Sequence, residues 1–272
     1  MIRQGIFLAN IGTYSGPRVI VELGELAEAS GWEALFIWDH LGFVWDQPAC
    51  DPWVALAALA ARTERLIVGT DVTPLPRRRP QVLAHQVATL DTLSEGRVVF
   101  GAAIGGIPDE FGRFGEETDA RLRAEMLDEG LEVVSRLWRG EEVTHHGRHY
   151  TVDAVRLAPT PPRGSVPIWI GGNSRPAMRR AARWDGWAPD SAGLDEMRLS
   201  PDDLSAKLEE LHGFRADVTE PFDVAVFGYS DSGTDTPGAY AEAGATWWLE
   251  YFHDRRGDLD SARQRVAAGP TR

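Results

Sequence analysis

An aspartate and a histidine, Asp39 and His40, stand together directly after the second apolar run of the chain. Histidine titrates near neutral pH, so His40 can act as a general acid or base, or can hydrogen-bond a reacting carbonyl group. The same dipeptide also occurs as a structural hydrogen-bonding corner at the end of a strand. His40 is therefore a candidate catalytic residue, with the structural corner as the alternative.

A second candidate site is the segment GGNSRP, residues 171–176, which precedes a helical pattern. Two glycines and a small hydroxyl side chain at a helix N-terminus leave backbone N–H groups free, and these together with the helix dipole favour phosphate. Arg175, Arg179 and Arg180 add positive charge to this corner. The alternative is an ordinary capped turn between a strand and a helix.

Three consecutive arginines, Arg77, Arg78 and Arg79, precede Pro80. Guanidinium groups bind phosphate and carboxylate groups through two parallel hydrogen bonds, so this run can clamp an anionic tail of a ligand. A solvated or interface-facing loop explains the run equally well.

The segment HHGRH, residues 145–149, superficially resembles a metal-binding cluster. It lacks the His-Glu-x-x-His spacing and has no paired acidic residues beside it, which argues against a metal site. We expect it to belong to a hairpin.

The elements that must position these residues alternate between apolar runs typical of buried strands and amphipathic stretches typical of helices. The first four apolar runs begin at residues 2, 34, 66 and 98, each 32 residues after the one before. That interval suits one strand, one helix and two loops. Four consecutive βα units are therefore predicted, with strands at 2–9, 34–38, 66–70 and 98–102.

The alternation resumes in the second half, where strands are predicted at 168–170, 186–188, 222–227 and 246–251. Residues 140–166 between the two halves predict a small hairpin and a proline-rich connection. This order predicts an α/β fold, a (β/α)8 TIM barrel with an insertion between strands 4 and 5, in a single domain over residues 1–272. An open doubly wound sheet is the alternative, but no G-x-G-x-x-G motif follows the first strand.

Composition and charge exclude several classes of protein. The formal net charge of −13 disfavours binding to nucleic acid or anionic lipid. Cys50 is the only cysteine, so an internal disulfide is impossible and redox chemistry needs an imported cofactor. No apolar run reaches the ~18 residues that span a bilayer, and the first residues lack the pattern of a secretory signal. We therefore expect a soluble cytoplasmic protein with neither a nucleic-acid nor a membrane partner.

Taken together, the chain resembles the bacterial luciferase-like monooxygenase family of flavin- or deazaflavin-dependent oxidoreductases. The resemblance covers most of residues 1–190 and is weak beyond them. It is carried by GWEALFIWDH (31–40), DPWVALAALAARTERLIVGTDVTPLPRRRP (51–80), ATLDTLSEGRVVFGAAIG (88–105), FGEETDARLRAEMLDEGLEVVSRLW (114–138) and VPIWIGGNSRPAMRRAARWDGWAP (166–189).

This resemblance implies that the reduced form of FMN or of the deazaflavin coenzyme F420 binds at the carboxyl ends of the barrel strands, and the choice between the two stays open. It assigns His40 a place beside the cofactor ring and the substrate. The cofactor-binding residues implied by the resemblance are Asp39, Thr70, Asp71, Val72, Gly171, Gly172, Asn173 and Ser174. Members of the family often have a non-prolyl cis peptide after strand three, which corresponds to Asp71-Val72 here.

The chain also departs from part of the family. Sugar-phosphate dehydrogenases of the deazaflavin branch carry a catalytic glutamate after strand four, whereas Gly106 occupies the best-matching position here. Asp109 and Glu110 follow it, and neither is assigned a role. Those enzymes also bind the substrate phosphate with lysines, and Lys207 is the single lysine of this chain. Glucose 6-phosphate is therefore not the expected substrate.

The resemblance implies hydride transfer to, or oxygen activation at, a small and largely apolar organic substrate, with His40 as the proton partner. One alternative is a barrel that binds a flavin or another ligand without turnover. The other is a metal-dependent hydrolase that uses Asp39, His40 and the histidines of 145–149. The expected partners are a second copy of the chain in a homodimer and, where the chemistry needs it, a flavin reductase.

Overall fold

A closed barrel of eight parallel strands forms the centre of the computed structural model, which describes residues 2–215, 219–230 and 235–271. The described strands in chain order are β1 (Arg3–Leu8), β2 (Ala34–Ile37), β3 (Ile67–Pro74), β4 (Val98–Ala103), β5 (Val143–His146), β6 (Thr151–Val155), β7 (Ile168–Gly171), β8 (Gly186–Ala188), β9 (Asp223–Gly228) and β10 (Trp247–Phe252). Of these, β5 and β6 lie outside the barrel and pair with each other. Barrel neighbours follow chain order, and β10 closes the barrel by pairing with β1. The predicted (β/α)8 barrel is confirmed, and each of the eight predicted barrel strands overlaps one of these.

Helices surround the barrel and connect its strands. They are α1 (Pro17–Ala29), α2 (Pro52–Ala60), α3 (Pro80–Leu93), α4 (Asp109–Gly112), α5 (Ala120–Trp138), α6 (Arg175–Ala181), α7 (Pro201–Phe214), α8 (Thr236–Glu242) and α9 (Leu259–Ala267). Local signals set their starts: the Asp51 side chain accepts a hydrogen bond from the Val54 amide at 2.9 Å, and Pro52 occupies the first turn of α2. None of the helices in the described ranges combines the length and the apolar character needed to span a bilayer.

Two apolar cores hold the barrel together. The first lies between the strands and the helices, where Leu23 of α1, Leu56 of α2 and Leu83 of α3 are fully buried. The second fills the barrel interior and is mainly aromatic; for example, the rings of Phe36 and Trp169 stack with centroids 5.0 Å apart. The barrel interior is therefore a packed core, as is typical of this architecture.

Strands β3 and β4 approach closely at two glycines. A Cβ atom on Gly101 would lie 2.0 Å from the carbonyl oxygen of Thr70, and one on Gly69 would lie 2.2 Å from that of Val99. Above this point the pairing of β3 with β4 shifts register between Thr70 and Thr73. The bulge contains the Asp71-Val72 peptide bond, which is cis, so that prediction is confirmed.

The predicted hairpin of the insertion is also present, formed by the antiparallel pair β5 and β6. Glu129 of α5 holds the hairpin against the helix layer, because the Glu129 carboxylate accepts hydrogen bonds from the backbone amides of His149 (3.0 Å) and Tyr150 (2.7 Å). The imidazole of His145 lies 3.0 Å from the same carboxylate. The hairpin therefore packs on the helix layer.

Candidate active site

A cavity of about 610 Å³ opens at the carboxyl ends of the barrel strands. This volume suits a small-molecule or cofactor site, and the position is the one that barrel enzymes use. Its lining is largely apolar and aromatic and includes Phe7, Trp38, Trp45, Ile104, Ile107, Leu194, Phe227 and Tyr251. Few polar and charged groups lie at its wall.

His40 lines the cavity and pairs with a glutamate that lies seventy residues later in the chain. The Nδ1 atom of His40 is 2.9 Å from the Oε2 atom of Glu110, whose side chain is 1% exposed. Glu110 also accepts hydrogen bonds from the Leu41 amide (2.6 Å) and from Nη1 of Arg77 (2.7 Å). The carboxylate therefore fixes the orientation of the imidazole.

The environment of Glu110 keeps it ionised. Burial acts to raise its pKa, but the hydrogen bond and positive charge of His40, the Leu41 amide and Arg77 outweigh burial, and the pKa lies below its ordinary value. An ionised Glu110 accepts the N–H of His40 at Nδ1 and leaves Nε2 as the ring nitrogen that can exchange a proton with a ligand.

Arg77 and Arg78 neither clamp a ligand nor lie in a solvated or interface loop, which were the two roles predicted for the arginine run. Arg77 and Arg78 point inward, with side chains 6% and 17% exposed, and both bind the Asp39 carboxylate. Arg77 also bridges to Glu110. These guanidinium groups therefore neutralise carboxylates of the protein itself. Arg79, at the end of the run, is exposed.

Asp39 lines the cavity, but its carboxylate is fully engaged by this ion pairing. Oδ1 lies 2.9 Å from Nη2 of Arg77, and Oδ2 lies 2.8 Å from Nε of Arg78. The side chain assigned to cofactor binding therefore supports the strand end that carries His40. Asp39 therefore plays the structural, hydrogen-bonding role that was the alternative for the Asp-His pair. His40 itself faces the cavity.

Two tryptophans enclose the His40 ring. Its centroid lies 4.9 Å from that of Trp38 and 5.0 Å from that of Trp45, both with edge-to-face geometry. Such contacts restrict the rotation of the imidazole and form an apolar wall beside it. Trp53, in contrast, is 4% exposed and belongs to the helix-layer core.

The bulge in β3 places Asp71 and Val72 at the cavity but keeps Thr70 out of it. The hydroxyl of Thr70 donates to the Gly101 carbonyl at 3.1 Å and accepts from the hydroxyl of Thr73 at 3.1 Å, and both threonines are fully buried. Thr70 therefore stabilises the bulge. Asp71 is 7% exposed, and its Oδ2 atom has no hydrogen-bond partner among the described residues.

The predicted phosphate corner follows β7 as expected. Gly171, Gly172 and Asn173 line the cavity, and Gly172 has a positive φ of 111°. The Asn173 side chain joins this corner to the next loop, because it donates to the Asp190 carbonyl (2.8 Å) and accepts from the Asp190 amide (2.9 Å). Ser174 lies outside the cavity lining and caps α6 by accepting from the Ala177 amide.

The histidines of the hairpin pair with glutamates of α5. His145 lies 3.0 Å from Glu129, and His149 lies 3.4 Å from Glu125. The described part of the chain contains no group of three or more His, Cys, Asp or Glu side chains arranged to hold a metal ion. The cluster tethers the hairpin, away from the cavity.

Sequence reasoning missed Glu110 as the partner of His40. Gly106, the position matched to the family glutamate, lines the cavity, and a Cβ atom there would meet no other atom within 4 Å. Glu110 lies in α4, a single turn whose existence the apolar periodicity did not indicate. No local sequence signal marks this pairing, because it joins residues seventy positions apart.

Comparison with known proteins agrees with this geometry. A family model described as luciferase-like monooxygenase matches residues 4–269. An F420-dependent glucose-6-phosphate dehydrogenase of Microbacterium testaceum is 39% identical over 173 residues, which are 62% of this chain and 51% of that protein. An uncharacterized protein of Mycobacterium tuberculosis is 30% identical over 224 residues, 76% of this chain and 75% of that protein. The matched region spans about half the length of the dehydrogenase.

Solved structures share the fold over nearly the whole chain. An F420-dependent tetrahydromethanopterin reductase from Methanopyrus kandleri superposes with a TM-score of 0.80 at 16% identity, covering 98% of both chains. An F420-dependent secondary alcohol dehydrogenase gives 0.81 at 17% identity, covering 98% of this chain and 99% of that one. The oxygenating constituent of an FMN-bound diketocamphane monooxygenase from Pseudomonas putida gives 0.70 at 19% identity, covering 84% and 67%.

Proposed function

Because the chain belongs to the luciferase-like monooxygenase family, we propose that it is an oxidoreductase that binds a reduced tricyclic cofactor in the cavity at the barrel mouth. The F420-dependent dehydrogenases among its relatives favour coenzyme F420, with FMN as the alternative. The observation that carries the proposal is the buried His40–Glu110 pair at the wall of this cavity.

The residues present fit such a cofactor. The cavity has aromatic walls for a flat ring, and two polar atoms at its lining residues, Asp71 Oδ2 and the Tyr251 hydroxyl, have no partner in the described part of the chain. Gly106 leaves open space where a side chain would otherwise project. Asp71 and Val72 would contact the ring, and Gly171 to Asn173 would lie nearest its phosphate-bearing side chain.

When bound, a reduced cofactor of this kind supplies a hydride or the electrons that activate oxygen. The protein supplies the proton chemistry and the surroundings. His40 holds or accepts a proton at Nε2, while ionised Glu110 keeps Nδ1 protonated and stabilises the imidazolium form. Trp38 and Trp45 fix the plane of the His40 imidazole and exclude water from the side of the imidazole that they cover.

The charges at the cavity wall favour an uncharged substrate. Within the described residues, Arg198 is the one arginine or lysine that lines the cavity, and its Nη1 atom is 2.9 Å from the Asp190 carboxylate. For a phosphorylated substrate the described wall therefore offers no unpaired arginine or lysine, and its backbone corner at 171–173 is assigned to the cofactor phosphate. We therefore assign a small, largely apolar alcohol, ketone or aldehyde to this chain, in contrast to the glucose 6-phosphate in the name of its relatives.

Equilibrium titrations of the purified protein with coenzyme F420 and with FMN test the cofactor, with absorbance and fluorescence as readouts. Tight binding of one of them supports the proposal, and binding of neither at physiological concentration refutes it. Oxidation of the bound reduced cofactor is then followed with oxygen and with a panel of uncharged carbonyl compounds. Binding without any oxidation would instead indicate a non-catalytic ligand-binding barrel.

His40→Ala separates the proton role from cofactor binding. We expect cofactor affinity to stay within about twofold while turnover falls by ~10²-fold or more, the usual contribution of a general acid or base. His85→Ala, at an exposed position of α3, is the matched control. Turnover unchanged by His40→Ala would remove His40 from the mechanism.

A further inference from the structure

Asp71 is a buried acid, and no hydrogen bond from a residue that the structure describes reaches its Oδ2 atom. The residue is 7% exposed, and its Oδ2 atom is almost completely buried and has no partner in the described ranges. Its neighbours in the bulge are different, because the hydroxyls of Thr70 and Thr73 bond each other and the Gly101 carbonyl. Asp71 also lines the cavity, whereas Thr70 and Thr73 do not. The exposed part of the carboxyl group therefore lies at the cavity wall, where a ligand can reach it, while Oδ2 is sealed by the protein.

No described cation or amide compensates a negative charge on Asp71. The titratable and charged groups that line the cavity from the other elements are Asp39 and His40 after β2, Asp190 and Arg198 after β8, and Tyr251 on β10. Of these, Asp190 acts on Asp71 as a like charge. Arg198 and Asp39 are already paired, with Asp190 and with the two inward arginines.

Burial, and to a lesser extent the negative charge of Asp190, raises the pKa of Asp71 to about 7. In the physiological range a large share of the molecules therefore carries the neutral acid. A neutral carboxyl group has one O–H donor, which costs free energy when it is buried without an acceptor.

The geometry points to Asp71 as a hydrogen-bond donor that holds the cofactor in its neutral acid form, so that the loss of this proton weakens cofactor binding. This inference rests on the proposed function, since it needs a ligand in the cavity. The acceptor is a carbonyl oxygen or ring nitrogen of the cofactor's tricyclic system, which carries several such atoms. An ionised Asp71 would turn its lone pairs toward the same acceptor and would repel it.

The test compares the dissociation constants of coenzyme F420 and FMN for the wild-type protein and Asp71→Asn between pH 5.5 and pH 8.5. Asparagine keeps the size and an N–H donor but cannot ionise. Asp153→Asn, at an exposed position of β6, makes the same chemical change away from the cavity. At each pH the dissociation constant of the wild type is divided by that of Asp71→Asn. Because both proteins bind the same cofactor, any effect of the cofactor's own titration cancels in this ratio.

We expect the bound cofactor to be held about equally by wild type and Asp71→Asn at pH 5.5. By pH 8.5 the wild-type affinity should have weakened by about fivefold or more relative to the variant, the scale of one buried hydrogen bond. Asp71→Ala, which removes the donor, should weaken binding about as much at every pH. Asp153→Asn should follow the wild type.

Two results would overturn the inference while leaving the proposed function intact. One is an identical pH dependence of binding in wild type and Asp71→Asn. The other is wild-type binding that tightens as pH rises relative to the variant, which would make the ionised carboxylate an acceptor. Failure of both cofactors to bind the wild type at every pH would overturn the proposed function and this inference together.

Discussion

The Nδ1 atom of His40 lies 2.9 Å from Oε2 of Glu110, and this contact joins the loop after β2 to the loop after β4. The two residues come from separate βα units, so only the closure of the barrel brings them together. A buried, ionised carboxylate behind a cavity-lining imidazole is the arrangement by which proteins fix the tautomer of a proton-transferring histidine. The pair therefore links the fold directly to the proposed chemistry.

Replacing Glu110 by glutamine should lower turnover without abolishing cofactor binding. The amide keeps the shape of the side chain but removes the charge that stabilises the imidazolium form of His40. We expect turnover to fall by about 10-fold to 100-fold, within the range for a residue that supports a general acid or base. Steady-state kinetics and cofactor titration measure the two effects separately.

Glu116→Gln, an exposed position on the same loop, is the control for Glu110→Gln and should retain wild-type turnover. If Glu110→Gln also retains it, the carboxylate has a structural role only. If both turnover and cofactor affinity collapse, the substitution has disturbed the loop itself, and a lowered melting temperature should accompany the loss.

Removing Arg77 should destabilise the fold more than removing Arg79. Arg77 bridges the carboxylates of Asp39 and Glu110, both 1% exposed, so Arg77→Met leaves two buried charges without this partner. Breaking a buried ion pair in this way costs roughly 3–5 kcal/mol. Arg79→Met removes an exposed arginine of the same run and should change stability by less than about 0.5 kcal/mol.

Urea unfolding monitored by tryptophan fluorescence measures this difference between the two arginine variants. Equal stabilities for Arg77→Met and Arg79→Met would show that the network contributes no net free energy. Such a result would mean that Arg78 and His40 alone compensate the buried carboxylates of Asp39 and Glu110.

The barrel was predictable because its signals are local. Each strand is a short apolar run at a regular interval, and each helix has its own cap or proline, as at Asp51-Pro52. These features depend on neighbours within a few residues, so a single chain displays them fully. The hairpin at residues 143–155 was equally visible from its composition.

The partners of the site residues were not predictable from the chain alone. The bonds from Arg77 to Asp39 and Glu110 span 38 and 33 positions, and nothing in the sequence near Arg77 distinguishes an inward guanidinium from a solvated one. Glu110 was named beside Asp109 without a role, because its single turn lacks the periodicity that would show which of the two side chains points inward. Long-range electrostatic pairing is a property of the closed barrel.

Two glycines at the site should respond differently to substitution by alanine. A Cβ atom on Gly101 would lie 2.0 Å from the Thr70 carbonyl oxygen, a backbone atom that cannot move aside. A Cβ atom on Gly106 meets nothing within 4 Å. Gly101→Ala should therefore lower the melting temperature by about 5 °C or more, which corresponds to a loss of ~2 kcal/mol, while Gly106→Ala leaves it within about 1 °C.

Differential scanning calorimetry of the two glycine variants measures this contrast. A melting temperature for Gly101→Ala equal to that of Gly106→Ala would mean that β3 and β4 separate easily, and the bulge that carries Asp71 would then not be rigid. Loss of stability in Gly106→Ala alone would contradict the open space seen beside it.

The stability of the cofactor-free protein should depend on pH through Asp71. Its pKa is raised by burial to about 7 in the folded state, against an ordinary value near 3.8. Between these two pH values the unfolded chain has released the proton and the folded protein still holds it, so stability falls as pH rises and levels off above pH 7. Asp71→Asn removes this loss, so the variant should melt higher than the wild type at pH 8.

The gain in melting temperature of Asp71→Asn at pH 5 should be less than half of the gain at pH 8. At pH 5 the protein has passed through less than half of the interval between the ordinary pKa of 3.8 and the folded-state pKa of about 7. Thermal unfolding of wild type, Asp71→Asn and Asp153→Asn at both pH values measures the effect, and Asp153→Asn should track the wild type. A gain that is the same at pH 5 and pH 8 would mean that Asp71 is already ionised at pH 5 in the folded protein. The carboxyl could not then be the neutral donor that we infer for the bound state.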